Sequence, residues 1–559
     1  RIALTFDDGP SPLYTERLLD GLKERGVVAT FFVTGENAES CPDLIRREKA
    51  DGHLIGNHTY SHIQLTSDNK EVFREELVKT NEILKAITGE NVTYIRPPYG
   101  SWDKSLEQDL SMFPVLWNVD PLDWCTPDAG LVMSRVLQQV EDGDIILLHD
   151  YYDTSVNEEQ VRKTAEYMAE NLKEFGWEYV VVDIEWYSYD TGSQRDKYQY
   201  IPFWKVEMDE YSRLLPCVDK FPSAKEGNGF KPLADYLHSL GLKFGIHIMR
   251  GIPRQAAHEH TKILGSTALA NDIADPSNIC DWNPDMYGVR PDADGAQEYY
   301  DSIFELYAQW GVDFIKCDDI CRMDMPSAKK EIEMLYNAIQ KCGREIVLSL
   351  SPGPAKIEEA WHYEKYANMW RITDDFWDRW DLLLPMFWRC ELWQNHVSEG
   401  CYPDCDMLTL GKLGKGFGHE WECNFSHDEQ ITLMTLWSIF RSPLMLGADL
   451  LQLDDWTKKL ITNKDVLGLL KHSEGARQIE RDDEHVIWCS KDTEDGSYYM
   501  AVFNLKEQNC DVAIPWEDVK NYGVTGTKAV ELWNHEDVDL IDKDSVFVAS
   551  HGAKLFKIQ

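Results

Sequence analysis

The chain has 559 residues, and its 56 Lys+Arg against 97 Asp+Glu give a formal charge of −41. That balance excludes the clustered basic surface a nucleic-acid partner needs, and 43% hydrophobic content excludes a disordered chain. No apolar run approaches the roughly 20 residues of a membrane helix, so no membrane span is expected. The length predicts several domains. Twenty Trp and 25 Tyr hint at sugar rings stacking on aromatic faces. The 13 Cys are irregularly spaced and show no pair-of-pairs zinc pattern. The sequence opens on Arg1, so a leader segment is expected to be invisible in it, and neither compartment nor oligomeric state is legible.

Residues 1–150 alternate short apolar runs with helical patterns. Ile2–Phe6 and Val28–Val33 read as strands, Tyr14–Arg25 and Lys70–Ile87 as helices. Residues 151–465 repeat the rhythm in longer units. Ser155 and Glu158 suggest a capping box, and Val161, Ala165, Met168 and Leu172 recur at helical spacing behind it. Tyr179–Val182, Phe244–Ile248, Phe314–Cys317, Ile346–Leu350 and Met369–Ile372 suit strands buried on both faces, as in a parallel barrel. In residues 466–559, Val486–Cys489, Tyr498–Leu505, Val512–Ile514, Val530–Trp533 and Val546–Val548 are closely spaced short strands. Asp495-Gly496 is a hairpin signal, and the whole reads as an antiparallel sandwich.

Four pieces of the first region carry chemistry. Thr5-Phe6-Asp7-Asp8-Gly9-Pro10 puts two carboxylates at a strand end. His58-Thr59-Tyr60-Ser61-His62 spaces two imidazoles as on one face of a helical turn. Arg96-Pro97-Pro98-Tyr99-Gly100 is a stiff loop with a guanidinium, and residues 144–150 read DIILLHD. Two His and one carboxylate make a three-ligand metal site with open positions. Each piece alone is weak; their order together resembles the polysaccharide deacetylase (NodB-homology, carbohydrate esterase family 4) fold, a distorted (β/α) barrel. The resemblance implies Asp7 as general base and Asp8, His58 and His62 as ligands of Zn²⁺ or another divalent ion. It implies Arg96 orienting Asp7, the Tyr99 backbone N–H at the oxyanion, and His149 as general acid tuned by Asp120. Trp124 and Leu147 would line the acetyl pocket.

The second region places carboxylates at strand ends beside cations and aromatics: Lys316-Cys317-Asp318, Arg371-Ile372-Thr373-Asp374-Asp375, Val182-Asp183-Ile184-Glu185-Trp186 and Cys405-Asp406. A barrel can bring two of them to the spacing a retaining glycosidase needs. With Trp437–Asp449 and the terminal sandwich, this resembles glycoside hydrolase family 27, the α-galactosidase family: a TIM-type (β/α)8 barrel followed by a β-sandwich, with no cofactor. The resemblance implies Asp318 as nucleophile and Asp375, rather than Asp374, as acid/base. Asp183, Lys316, Arg371 and Asp406 would bind the sugar, with Trp186, His247 and Ser351 near it. Asp183-Ile184 replaces the paired aspartates of many α-galactosidases, His247 stands at a usual Tyr, and Ser349–Gly353 replaces a Cys-Glu-Trp segment. An α-galactoside, α-glucan, β-L-arabinopyranoside or α-N-acetylgalactosaminide therefore all stay open, as does a glycan-binding protein without turnover. The glycine-rich Gly411–Gly418 lacks the ending of a phosphate loop and reads as a loop at the barrel mouth.

The two resemblances meet at Asp150-Tyr151. A family 27 barrel would need a first strand there, yet the residues preceding 151 belong to the deacetylase pattern. One strand cannot close two barrels, so at least one barrel is expected to be incomplete.

Overall fold

The computed structural model describes every residue except 1, 12–13, 67–68, 107–111, 122, 124–128, 151–156, 189–204, 281, 415–419, 527 and 541–542. Trp124 and Ser155 lie outside the described residues, as does part of Gly411–Gly418. The chain forms two compact units, one within residues 1–154 and one within 155–188 and 195–559.

The first unit is a parallel sheet in the order Phe113–Pro114, Tyr94–Ile95, Leu54–Asn57, Thr30–Val33, Ala3–Asp7, Ile145–His149. The stretch 113–119 touches both ends of that sheet. Val115 N–H donates to the Ile95 carbonyl, and Leu147 N–H donates to the Val119 carbonyl four residues later. Val119 also bridges Ile146 in parallel, so the sheet curls into a distorted barrel. Phe6, Phe31, Val33, Ile45 and Leu84 pack between sheet and helices.

In the second unit six parallel strands run Tyr402–Asp404, Met369–Arg371, Val347–Leu350, Phe314–Asp318, Lys243–Met249, Tyr179–Val182. Beyond Tyr402–Asp404 the chain pairs at Leu408 with Leu446 and so adds a seventh member. This is a TIM-type barrel. Among the described residues no strand pairs the free edge of Tyr179–Val182, and Ile145–His149 is committed to the first sheet, paired with Ala3–Asp7 from Ala3↔Ile145 to Asp7↔His149.

Helix Glu158–Asn171 is capped by Asn157 in a box with Gln160, not by Ser155 and Glu158. The Asn157 side-chain carbonyl accepts from the Gln160 amide, and the Gln160 side chain reaches back to the Asn157 N–H. The antiparallel sheet Ser473–Arg481, His485–Asp492, Tyr498–Asn504, Ala553–Ile558, Ala529–Glu531, Glu536–Val538 and the pair Cys510–Ala513, Ser545–Val548 form the sandwich. Asp495-Gly496 turns its central hairpin, with Gly496 at φ 77°.

Candidate active sites

In the first unit the strand ends converge. Asp7 and His149 are in-register neighbours on adjacent parallel strands, which puts a carboxylate and an imidazole at one end of the barrel. Arg96 is fully buried and donates from Nη1 to Asp7 Oδ1 at 2.8 Å and Thr5 Oγ1 at 2.6 Å, and from Nε to the Val115 carbonyl at 3.0 Å. Burial raises the Asp7 pKa, and the charges of His58 and Arg96 oppose that rise.

Asp8 Oδ1 lies 3.1 Å from His58 Nε2 and 3.3 Å from His62 Nε2, and is buried without hydrogen-bond geometry to either. The three ligand atoms lie within 4.8 Å of one another. His58 Nδ1 sits 2.6 Å from the Arg96 carbonyl. Donation there leaves the Nε2 lone pair facing the cluster, the usual outer support of a metal-bound imidazole. An orphaned carboxylate oxygen among two such nitrogens fits a divalent ion. Burial alone would raise Asp8, but the close approach of the His58 ring and the charges of His58 and His62 bring its pKa to about 2. The two imidazoles are not on a helical turn. They follow strand Leu54–Asn57 on an irregular loop with Thr59 at φ 64° and His62 at φ 59°. Left-handed residues break the i,i+4 geometry the spacing alone suggests.

The carboxylate on His149 is Asp123, not Asp120: its Oδ1 is 2.9 Å from Nδ1 and its Oδ2 takes the His149 backbone N–H at 2.7 Å. Burial disfavours the charged ring, but Asp123, then Asp8 and Asp7, outweigh it and push the pKa to about 9. A bound cation would pull it back down. Asp123→Asn is expected to move the alkaline limb of deacetylation to lower pH, read from a pH–rate profile. The stability sign agrees. A His raised to about 9 stabilises fully below its unfolded value near 6.5 and loses that contribution as pH rises through 9. An unchanged limb would place the titrating acid elsewhere. Leu147 is buried on the same strand, and Tyr99 is exposed at φ 58° with its ring 5.0 Å from that of His62. Asp150 was not singled out from sequence. A Cβ at Gly9 would sit 2.2 Å from its Oδ1, so only glycine fits the turn after Asp8.

In the second unit Asp318 is buried at the end of Phe314–Asp318. Its Oδ2 is 3.0 Å from His247 Nε2, its Oδ1 takes the Asp319 N–H at 2.7 Å, and His247 Nδ1 is 2.7 Å from Asp183 Oδ1. Burial would raise Asp318, but its His247 hydrogen bond and the charges of His247 and Lys316 hold it well below the carboxylate range. The exposed Asp183 is held low by the same His247 hydrogen bond and the same two charges. Arg371 Nη2 lies 3.1 Å from Asp375 Oδ1 and 2.9 Å from Asp406 Oδ2. Asp374 instead pairs with Arg322 at 2.7 Å. Asp404, unnoticed in the sequence, is buried beside Asp406, and burial followed by that neighbour's charge pushes its pKa to about 6.

Two residues expected near the sugar are buried. Trp186 is 1% exposed, donates its indole N–H to the His247 carbonyl at 2.8 Å and packs against Phe230 and Trp310. Ser351 is fully buried, its backbone bonded to Cys317, Ile320 and Cys321. Both are held by core packing that a strand-end position does not reveal.

Comparison with known proteins matches this division. Residues 1–115 fit the polysaccharide deacetylase family model, 264–472 that of alpha galactosidase A, and 482–558 that of the alpha galactosidase C-terminal beta sandwich domain. The peptidoglycan-N-acetylglucosamine deacetylase PgdA of Listeria monocytogenes is 38% identical over 183 residues, 33% of this chain and 38% of its own length. The chain thus spans well under half of that curated deacetylase. A GH27 β-L-arabinopyranosidase from Geobacillus stearothermophilus, solved in complex with arabinose, is 51% identical with a TM-score of 0.69, covering 73% of this chain and 94% of that one. An alpha-galactosidase of Oryza sativa is 23% identical over 410 residues, 73% of this chain and 82% of its own. Deacetylase and glycosidase regions are both of families of glycan-acting enzymes, and no helix among the described residues is long and apolar enough to cross a membrane. The chain belongs to glycoside hydrolase family 27, with a polysaccharide deacetylase domain preceding the glycosidase barrel.

Proposed function

We propose that the glycosidase barrel cleaves β-L-arabinopyranosides with retention and that the first unit removes acetyl groups from N-acetylated glycans. The observation that carries the first reading is the 51% identity to a β-L-arabinopyranosidase, together with Ile184 beside Asp183 where α-galactosidases of this type pair two aspartates. β-L-Arabinopyranose is α-D-galactopyranose without its exocyclic hydroxymethyl. An apolar side chain in place of a carboxylate gives up a hydroxyl acceptor and suits the smaller sugar. Asp318 attacks the anomeric carbon while Asp375 protonates the departing oxygen. Asp375 then takes a proton from the water that releases the sugar. Lys316, Arg371 and Asp406 hold hydroxyls of the ring.

In the first unit Asp8, His58 and His62 would hold a divalent ion, Zn²⁺ or similar, whose Lewis acidity polarises the amide carbonyl. Asp7, raised by burial and oriented by Arg96, takes the proton of the attacking water. The Tyr99 backbone N–H supports the developing oxyanion. His149, held by Asp123, gives its proton to the nitrogen as the C–N bond breaks and acetate leaves. Two assays test the pair. Acetate release from a chitooligosaccharide should vanish with chelator and return with Zn²⁺. kcat/KM on p-nitrophenyl β-L-arabinopyranoside should exceed that on the α-D-galactoside by roughly 10-fold or more, the scale on which a pocket separates one small group. Preference for the galactoside overturns the arabinoside reading.

A further inference from the structure

Asp183 just after Tyr179–Val182, His247 within Lys243–Met249 and Asp318 at the end of Phe314–Asp318 lie on three adjacent barrel strands and form one continuous chain of contacts, 2.7 Å on one side of the imidazole and 3.0 Å on the other. The two ends differ in access: the Asp183 side chain is 70% exposed, whereas His247 is 4% and Asp318 8% exposed. One end therefore faces the barrel mouth, where a sugar arrives, and the other is the attacking carboxylate. The His247 backbone is held by the Trp186 indole, which donates to its carbonyl. The charged groups facing it are Asp183 from the strand on one side and Lys316 and Asp318 from the strand on the other, with Lys316 directly in register with His247. A carboxylate oxygen therefore lies at hydrogen-bond distance from each ring nitrogen.

We propose that His247 is a positioning residue, an imidazole that ties the sugar-holding Asp183 to the attacking Asp318 and fixes the distance between them. A sugar hydroxyl caught by the free oxygen of Asp183 then meets Asp318 in one orientation. Small misplacement of reacting groups costs about 10²-fold in rate. This rests on Asp318 being the nucleophile and does not depend on which sugar is cleaved.

The test compares single and double variants of the full chain. In kinetics, on whichever aryl glycoside the wild type cleaves, His247→Gln should lose about 10²-fold in kcat while KM changes less than about threefold. The double variant with Asp183→Ala should lose no more kcat than the worse single, as expected of residues acting as one unit. A rise in KM at unchanged kcat makes His247 a plain sugar contact and overturns the proposal, as does additivity. Cleavage of the α-galactoside instead of the β-L-arabinopyranoside would sink the substrate reading and leave these His247 outcomes decisive.

Discussion

Asp318→Asn is expected to abolish glycoside cleavage, by roughly 10⁴-fold or more, the scale seen when a covalent nucleophile is removed. Acetate release should be untouched. Asparagine keeps the shape of the side chain and its place beside His247 and the Asp319 amide, so the loss reads chemistry rather than packing. Asn cannot form the glycosyl ester that retention requires. The Asp318 carboxyl is also where the site spends its charge: burial opposes ionisation, and His247 and Lys316 overcome it. A carboxyl held below its unfolded value near 3.9 contributes stability above that pH and loses it as pH falls toward the folded value. Asp318→Asn should therefore flatten the acid side of the stability curve as well. Differential scanning calorimetry at falling pH and release of p-nitrophenol measure the two effects. Residual turnover within tenfold of wild type would remove Asp318 from the nucleophile's role. Asp374→Asn serves as the neighbouring control, because its carboxylate is engaged by Arg322 rather than by Arg371.

Positions along the chain were more legible than directions in space. Asp7, Asp318 and His149 were readable because a parallel barrel puts strand C-termini together, and a run of apolar residues ending in a polar one marks such a terminus. Strand Tyr179–Val182 is legible as an unbroken apolar run, and the helical pattern over Lys70–Ile87 matches helix Lys70–Thr88. The partner of His149 was not. Asp120 and Asp123 are three residues apart, and only the backbone path decides which carboxylate reaches the ring. Trp186 follows a strand end with polar neighbours, yet its indole turns into the core because Phe230 and Trp310 offer a packed apolar niche and the His247 carbonyl an acceptor. The His58 and His62 spacing fitted a helix, and left-handed Thr59 and His62 bring the nitrogens together by another route. Sequence period carries no information about such isolated φ reversals.

The topology makes a second large effect testable. Inserting a flexible linker and a six-residue β-branched strand just before Asn157, with residues 1–150 kept in place, is expected to stabilise the glycosidase unit and raise its kcat. The strand Tyr179–Val182 pairs Lys243–Met249 on one side only among the described residues, and its Tyr179 and Val181 are half-buried. Leu444, Leu446 and Ala448, from the segment that pairs at Leu408, are likewise only partly covered. A strand between these edges would make backbone hydrogen bonds worth about 0.5–1.5 kcal/mol net apiece. It would bury apolar side chains at about 1.5–3 kcal/mol each and lose about 1–2 kcal/mol of backbone entropy per residue. The expected net gain should show as a higher Tm of the glycosidase unit. Asp183 and Trp186 follow Tyr179–Val182 directly, so bracing that strand should also steady the Asp183–His247–Asp318 chain and show in kcat more than in KM. The same insert with proline at its centre lacks a ladder donor and should give neither gain. If both inserts leave Tm and kcat where they were, the free edge of Tyr179–Val182 is not a weakness of this barrel, and its stability lies in the remaining strands and in the packing of helix His427–Phe440 against them and the sandwich.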